Sequence, residues 1–399
     1  MTPVLTAFID GLKPDSLQYM PFLNSLKTRR RIRTELGFSN PCHASMYTGI
    51  YPNRHLNWFI WKYSPETSPF SWTRKFKLPE NMYLKYACYR ITRLLNRSCS
   101  SFYGIPFMWH IPLKLWGYFD VAEKRFWTEP NYIENYPTIF ELLRSHHVEH
   151  EIIGMSRNHA LATESSRLIA DFELGEVKPW TYFFIGDIDP LSHRYGQDSP
   201  QTQERLRKID DTRQVKYQFF QKRFENFTFM LFSDHGHVRV KERVNPQAVF
   251  SSRGGRLDNY IYFMDINYLR FWFRNEKERK RVTEVLSGFG DKGFILTEEH
   301  LKGYNINMPD NRYGDLIFHL HPGYAFDQGK IVALGRQWTT VPVTIHGCLP
   351  DCPDSDGVFV SNKEVVSDSH LKLEDIMPSI LDLLDVAIPD YVDGRVIWA

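Results

Sequence analysis

Three apolar runs in this chain end in an aspartate, and histidine follows two of them closely. "VLTAFIDG" carries Asp10, "WTYFFIGDIDPLSH" carries Asp189 and then His193, and "FTFMLFSDHGH" carries Asp234, His235 and His237. A further histidine, His346, stands in "VPVTIHGCLPD". Carboxylate oxygen and imidazole nitrogen are the donors that suit zinc and its neighbours, three or four to an ion. Each piece alone has a plainer reading. Asp-Gly after a strand is usually a turn, "DHG" a turn with a cap, and His346 before Gly a satisfied loop histidine. Repetition along one edge of one sheet is what favours a metal centre.

A second set of reactive types lies in "GFSNPCHASMYTGIYPNRH", residues 37–55, with Ser39, Cys42, His43 and His55. Ser39 stands where a helix would begin. A nucleophile there has free backbone N–H groups beside it to hold phosphate oxygens. Serine is equally at home as an N-cap, and on this segment alone the cap is the simpler reading.

The elements that must position these groups follow from periodicity. The three Asp-terminated runs read as buried strands, with Asp10, Asp189 and Asp234 at their ends. "QERLRKIDDTRQVKYQFFQKRFEN" has helical periodicity with charges at i, i+4, "SLQYMPFLNSLK" reads as a helix interrupted by Pro, and "TIFELLRSHHVEHEIIGMS" as a helix and then a strand. Such alternation implies an α/β fold with a mainly parallel sheet covered by helices on both faces, and ligands bind such sheets at the strands' carboxyl ends. Two stretches break the rhythm, about 62–135 (aromatic-rich) and about 245–340, and both read as insertions that cap a single catalytic domain spanning 1–399. "FYGIPFMWHIPLKLW" in the first reads foremost as packed core. Its other reading is a set of exposed aromatics that stack on a nucleobase or meet a lipid-linked substrate at a membrane surface.

Composition narrows the classes. The 399 residues carry a net charge of only +2, so no basic surface points to a nucleic-acid polymer. The 5 Cys form no repeated CxxC pair and suggest a reducing compartment. "CLPDC" reads as a structural turn, His146 and His147 as surface or half-buried side chains rather than ligands, and "KTRRRIR" (27–33) as a solvated basic face, its other reading being attraction of anionic substrates. No signal peptide or 18-residue apolar run is present, which leads to the expectation of a cytoplasmic protein.

Taken in order, these segments resemble the alkaline phosphatase superfamily, and most closely its nucleotide pyrophosphatase/phosphodiesterase branch. The matching pieces are the strand ending at Asp10, "SNPCHASMYTGIYP", "DPLSHRYG", "SDHG", His346-Gly347 and the tail "LEDIMPSILDLLDVAIPDYVDGRVI". The resemblance implies an alkaline-phosphatase-like three-layer sandwich with inserted caps and a nucleophile at Ser39. It implies two divalent ions, commonly zinc: one held by Asp10, Ser39, Asp234 and His235, the other by Asp189, His193 and His346. The expected reaction is hydrolysis of a phosphodiester or pyrophosphate in a small nucleotide-type substrate, through a phosphoserine intermediate between two metals. The family's phosphoryl-binding Asn falls in register on Ile60, so Asn57, three positions early, is the candidate oxyanion contact, with Arg54 as a substitute. A sulfatase needs Cys/Ser-x-Pro-x-Arg, and His43 stands where that Arg would be. A phosphomonoesterase of the same superfamily and a non-catalytic binding protein on this fold are the alternatives.

Overall fold

The computed structural model describes residues 2–76, 78–95, 108–154, 175–328, 330–333, 336–339, 342–366 and 370–398. Its main sheet is built from β1 (Val4–Ile9), β2 (Thr28–Arg33), β3 (His150–Ile153), β4 (Trp180–Ile185), β5 (Thr228–Phe232), β6 (Gly357–Ser361) and β7 (Leu371–Lys372). The strand order is β7-β2-β6-β5-β1-β4-β3. Only β6 runs antiparallel to its neighbours, so the sheet is mainly parallel, as the alternation of elements predicts.

Strand β1 is buried along its whole length because both sheet faces are covered. Val4 and Phe8 pack on one side with Met46 and Tyr47 of helix α1 (Ser39–Thr48), and with Ile376, Met377 and Ile380 near the C-terminus. Leu5, Ala7 and Ile9 pack on the other with Leu206, Ile209 and Phe220 of the long helix Pro200–Arg223. Helices on both sides make the three-layer α/β sandwich. The long helix starts where Ser199 accepts a hydrogen bond from the Thr202 N–H, with Pro200 at its first position. Helix α1 stops at Gly49, whose left-handed φ of 69° lets its N–H close back on the Ser45 carbonyl.

A second, antiparallel sheet orders Ile261–Met264, Tyr268–Trp272, Leu316–Leu320 and Gly293–Ile295 side by side. It shares a core with Trp61, Phe70, Met108, Ile111, Leu113 and Trp116, so residues 108–116 of the aromatic-rich stretch are largely packed inside. The neighbouring Phe102–Phe107 lies outside the described residues. Within this core Arg270 is fully buried, paired to Asp265 at 2.9 Å and flanked by the rings of Phe59 and Phe263.

The basic run 27–33 keeps Lys27, Arg29, Arg30 and Arg33 exposed, as a solvated face requires, but its backbone from Thr28 is β2, an interior strand, in which Thr28 and Ile32 point inward. Arg33 meets Asp351 at 2.8 Å. Alternation hid the strand because only two of its six side chains are apolar or small enough to enter the core. Among the described residues no helix is long and apolar enough to cross a membrane, and Cys42, Cys88, Cys348 and Cys352 are free thiols.

Candidate metal centre and nucleophile

Strand register creates the site. Phe8 pairs with Phe232 across β1 and β5, so two residues further on Asp10 and Asp234 emerge side by side at the carboxyl edge. Asp234 Oδ1 accepts hydrogen bonds from the N–H groups of Gly11 (3.2 Å) and His235 (3.0 Å), which fixes its carboxylate. Asp189 departs from the expected position at a strand end. Strand β4 stops at Ile185, and Asp189 lies in the first turn of helix α2 (Ile188–Tyr195). The helical i, i+4 spacing then sets His193 on the same face, with Nε2 3.2 Å from Asp189 Oδ1. His346 arrives on a two-stranded ribbon in which Thr344–Ile345 pairs with Val238–Arg239.

Residues of the second sheet hold that ribbon's end in place. The Gly347 carbonyl accepts hydrogen bonds from Asn267 Nδ2 (2.9 Å), the Tyr268 hydroxyl (2.7 Å) and His319 Nε2 (3.2 Å). No local sequence pattern announces this support.

Ser39 is the first residue of α1 and does not cap it: the N-cap is Phe38, which makes no side-chain cap bond. The Ser39 hydroxyl instead faces His235 Nε2 at 3.1 Å. The other reactive types of that segment are occupied elsewhere. Cys42 is buried 3.5 Å from the Thr34 hydroxyl, and His55 bridges Ser45 and the Asn57 N–H. His43 sits edge-on to Phe8 with Nε2 3.8 Å from Asp234, and burial pushes its imidazole down to about 4. Arg54 is turned away, bound to Asp393 at 2.5 Å and to the Tyr391 carbonyl at 2.7 Å, which removes it as a substitute phosphate contact. Asn57 is buried near the Tyr132 hydroxyl. That hydroxyl donates to Glu123, which also accepts from Asn40 Nδ2 at 2.7 Å, so a polar cluster that sequence reasoning missed adjoins the nucleophile candidate.

Three groups of donor atoms converge, each within 4.8 Å: Asp10, Asp234 and His235; Asp189, His235 and His346; Asp189, His193 and His237. All seven residues of the two sets implied by resemblance, Ser39 included, therefore gather at one sheet edge. His237, which the resemblance leaves aside, joins them. The electrostatics of the cluster are those of a place built for cations. Burial, and then the charges of Asp234 and Asp189, push the Asp10 carboxyl well above the usual range. Burial opposes ionisation of Asp189 too, but the imidazoles of His193, His237 and His346 hold its carboxyl well below that range.

Hydrogen bonding identifies which nitrogens face the centre. His235 Nδ1 lies 3.1 Å from the Gly236 carbonyl and His193 Nδ1 2.7 Å from the Thr344 carbonyl, so each Nδ1 donates and Nε2 is the nitrogen left to face the centre, where a cation would take its lone pair. Those nitrogens meet carboxylate oxygens. His235 Nε2 is 3.2 Å from Asp234 Oδ2 and 3.6 Å from Asp10 Oδ1. Asp10 Oδ1, Asp189 Oδ1 and Asp234 Oδ2 are buried without hydrogen-bond partners. Three carboxylates buried together among imidazole nitrogens are costly to ionise unless a cation lies among them, so the donor set fits divalent ions.

Strand order, helices on both faces and the groups at the carboxyl edge define an alkaline-phosphatase-like α/β protein. The chain belongs to the type I phosphodiesterase / nucleotide pyrophosphatase family, whose model matches residues 4–347. Solved structures carry the fold likeness over nearly the whole length. Human ectonucleotide pyrophosphatase / phosphodiesterase 5 superposes with a TM-score of 0.65 at 14% identity, covering 98% of this chain and 97% of its own. The murine protein gives 0.65 at 12% identity, covering 97% and 96%. An inactive variant of the murine protein, in complex with AMP, gives 0.65 at 12%, covering 98% and 96%. No curated protein matches the chain by sequence.

Proposed function

We propose that this chain hydrolyses a phosphodiester or pyrophosphate bond in a small nucleotide-type substrate, with Ser39 as nucleophile, a phosphoserine intermediate and two divalent cations, zinc the expected ion. The observation that carries this reading is the Ser39 hydroxyl set 3.1 Å from His235 Nε2 at the uncapped start of α1. Asp10, Asp234, His235 and Ser39 would hold one cation, and Asp189, His193 and His346 the other. When bound, such ions lower the pKa of a coordinated hydroxyl and neutralise charge on the phosphoryl oxygens.

Ser39 Oγ gives its proton to solvent and attacks phosphorus, and the bond from phosphorus to the leaving oxygen breaks, that oxygen leaving as an anion or taking a proton from solvent. Water then attacks the phosphoserine from the opposite side and gives up a proton, and the phosphorus–Oγ bond breaks as Oγ regains a proton and restores the serine. First-turn N–H groups of α1 would receive phosphoryl oxygens, with Asn57 as a further donor. Residues 1–399 would act as one catalytic domain, with the stretches near 62–135 and 245–340 as caps that select the substrate. The AMP complex of the murine relative supports a nucleotide-type ligand.

The test loads the protein with zinc. Turnover of a nucleotide nitrophenyl ester or bis-p-nitrophenyl phosphate is then compared with p-nitrophenyl phosphate. Preference for the diesters is expected, and a strong preference for the monoester would replace this reading with a phosphomonoesterase.

A further inference from the structure

His237 is the histidine that the two implied ligand sets leave unused, and its surroundings are those of a ligand. It is 3% exposed, and its Nε2 has no hydrogen-bond partner. That nitrogen lies 3.2 Å from Asp189 Oδ1, the oxygen that His193 Nε2 approaches at 3.2 Å and His346 Nε2 at 3.4 Å. Two ligands on a tetrahedral zinc ion with bonds of about 2.0 Å stand about 3.3 Å apart, so each imidazole is at the right distance from Asp189 Oδ1 to share an ion with it, and His193 and His237 also lie within 4.8 Å of one another.

The tautomer of His237 follows from a short chain of hydrogen bonds. The Thr344 hydroxyl donates to the Ser192 carbonyl at 2.7 Å, which uses its only proton. Its oxygen is 3.2 Å from His237 Nδ1, so Thr344 accepts there and Nδ1 is the protonated nitrogen. The Nε2 lone pair therefore points at Asp189. Thr344 orients two rings at once, His193 through its backbone carbonyl and His237 through its hydroxyl. Space for the ring comes from Gly11: a Cβ there would stand 2.7 Å from His237 Nε2.

We propose that His237 is a metal ligand in this chain, adding a third imidazole to the site of Asp189, His193 and His346. The inference rests on the two-cation reading above and deepens it. With one carboxylate and three imidazoles this ion has four protein donors, a filled tetrahedral set, whereas the Asp10, Asp234 and His235 site relies on Ser39 for its fourth. The two ions are therefore unequal. The one at Asp189 is the more permanently held, and the one beside Ser39 leaves first.

The experiment measures metal rather than turnover. Zinc-loaded wild type, His237→Gln, Thr344→Val and, as a control for the same ion, His193→Gln are titrated with a chelator while bound metal is counted. The cobalt-loaded forms are compared by visible absorption, which reports ligand number and type. Wild type should hold two ions per chain, one released at least about 10-fold more readily than the other. His237→Gln should weaken the tighter ion by about 10–100-fold or more, change the cobalt spectrum and leave the other ion unmoved, matching His193→Gln. Thr344→Val keeps the imidazole but removes its acceptor. It should weaken the same ion, and it carries the test alone if His237→Gln does not fold. Two ions retained at wild-type affinity in both variants, with unchanged cobalt spectra, would overturn the role of His237 and leave the two-cation reading standing. A wild type that binds no ion would overturn both.

Discussion

The Ser39 hydroxyl and His235 Nε2 lie 3.1 Å apart although 196 positions separate them in the chain. One residue opens a helix and the other follows a strand, and neither is reactive alone. Serine at its ordinary pKa is a weak nucleophile, and the proposed activation would draw on this placement beside an imidazole among carboxylates.

If Ser39 is the nucleophile, Ser39→Ala should lower diester turnover by at least about 10^3-fold while leaving the fold intact. Acid-quenched wild type given labelled substrate should carry label on Ser39. Turnover within a few-fold of wild type in the variant would reject the phosphoserine route.

Removal of divalent ions should both stop turnover and lower thermal stability. An ion that binds only the folded chain adds about 2.7 kcal/mol when present at 100 times its dissociation constant, so chelator should lower Tm and zinc should restore it. Calorimetry with and without chelator measures this, and identical melting curves would argue against tightly held metal.

Glu123 should impose a pH dependence on stability. Burial pushes its carboxyl up to about 7 despite hydrogen bonds from Tyr132 and Asn40. The folded chain thus keeps a proton that the unfolded chain has released, and the stability it contributes is complete below pH about 4.3 and lost as pH rises towards 7. Glu123→Gln, uncharged throughout, should gain stability relative to wild type between pH 5 and pH 8. Urea denaturation at the two pH values gives the sign, and a parallel offset at both would exclude the effect.

Asn57→Ala should reduce turnover by about 10^2-fold or more if the amide contacts a phosphoryl oxygen in the transition state. Equal falls in kcat and kcat/KM are the signature. A change in stability alone would assign Asn57 to the support of Tyr132.

Gly11→Ala tests how tightly the centre is packed. Gly11 has φ of 72°, a conformation that costs a side-chain-bearing residue about 1–2 kcal/mol. Its new Cβ would also press on His237 Nε2 and on Asp189 Cβ, 3.2 Å away. The variant should unfold at lower denaturant and bind metal more weakly, and unchanged values for both would show that the ring has room to shift.

Much of this protein was legible before any coordinates. Apolar runs closed by Asp, the Asp189–His193 spacing and the amphipathic helix after it are local patterns, and local periodicity decides which face a side chain takes. Three features escaped that logic. The arginine-rich β2 is interior to the sheet because its neighbours, not its own composition, supply the burial. Glu123 meets Asn40 across 83 positions, and Thr344 meets His237 across 107. Distances of that kind arise from strand order and packing, and the tautomer of a ring arises from whichever acceptor the fold brings to its far nitrogen. Residue types and order thus determined which atoms could bind metal, while tertiary structure alone decided which of them share a centre and which way their lone pairs point.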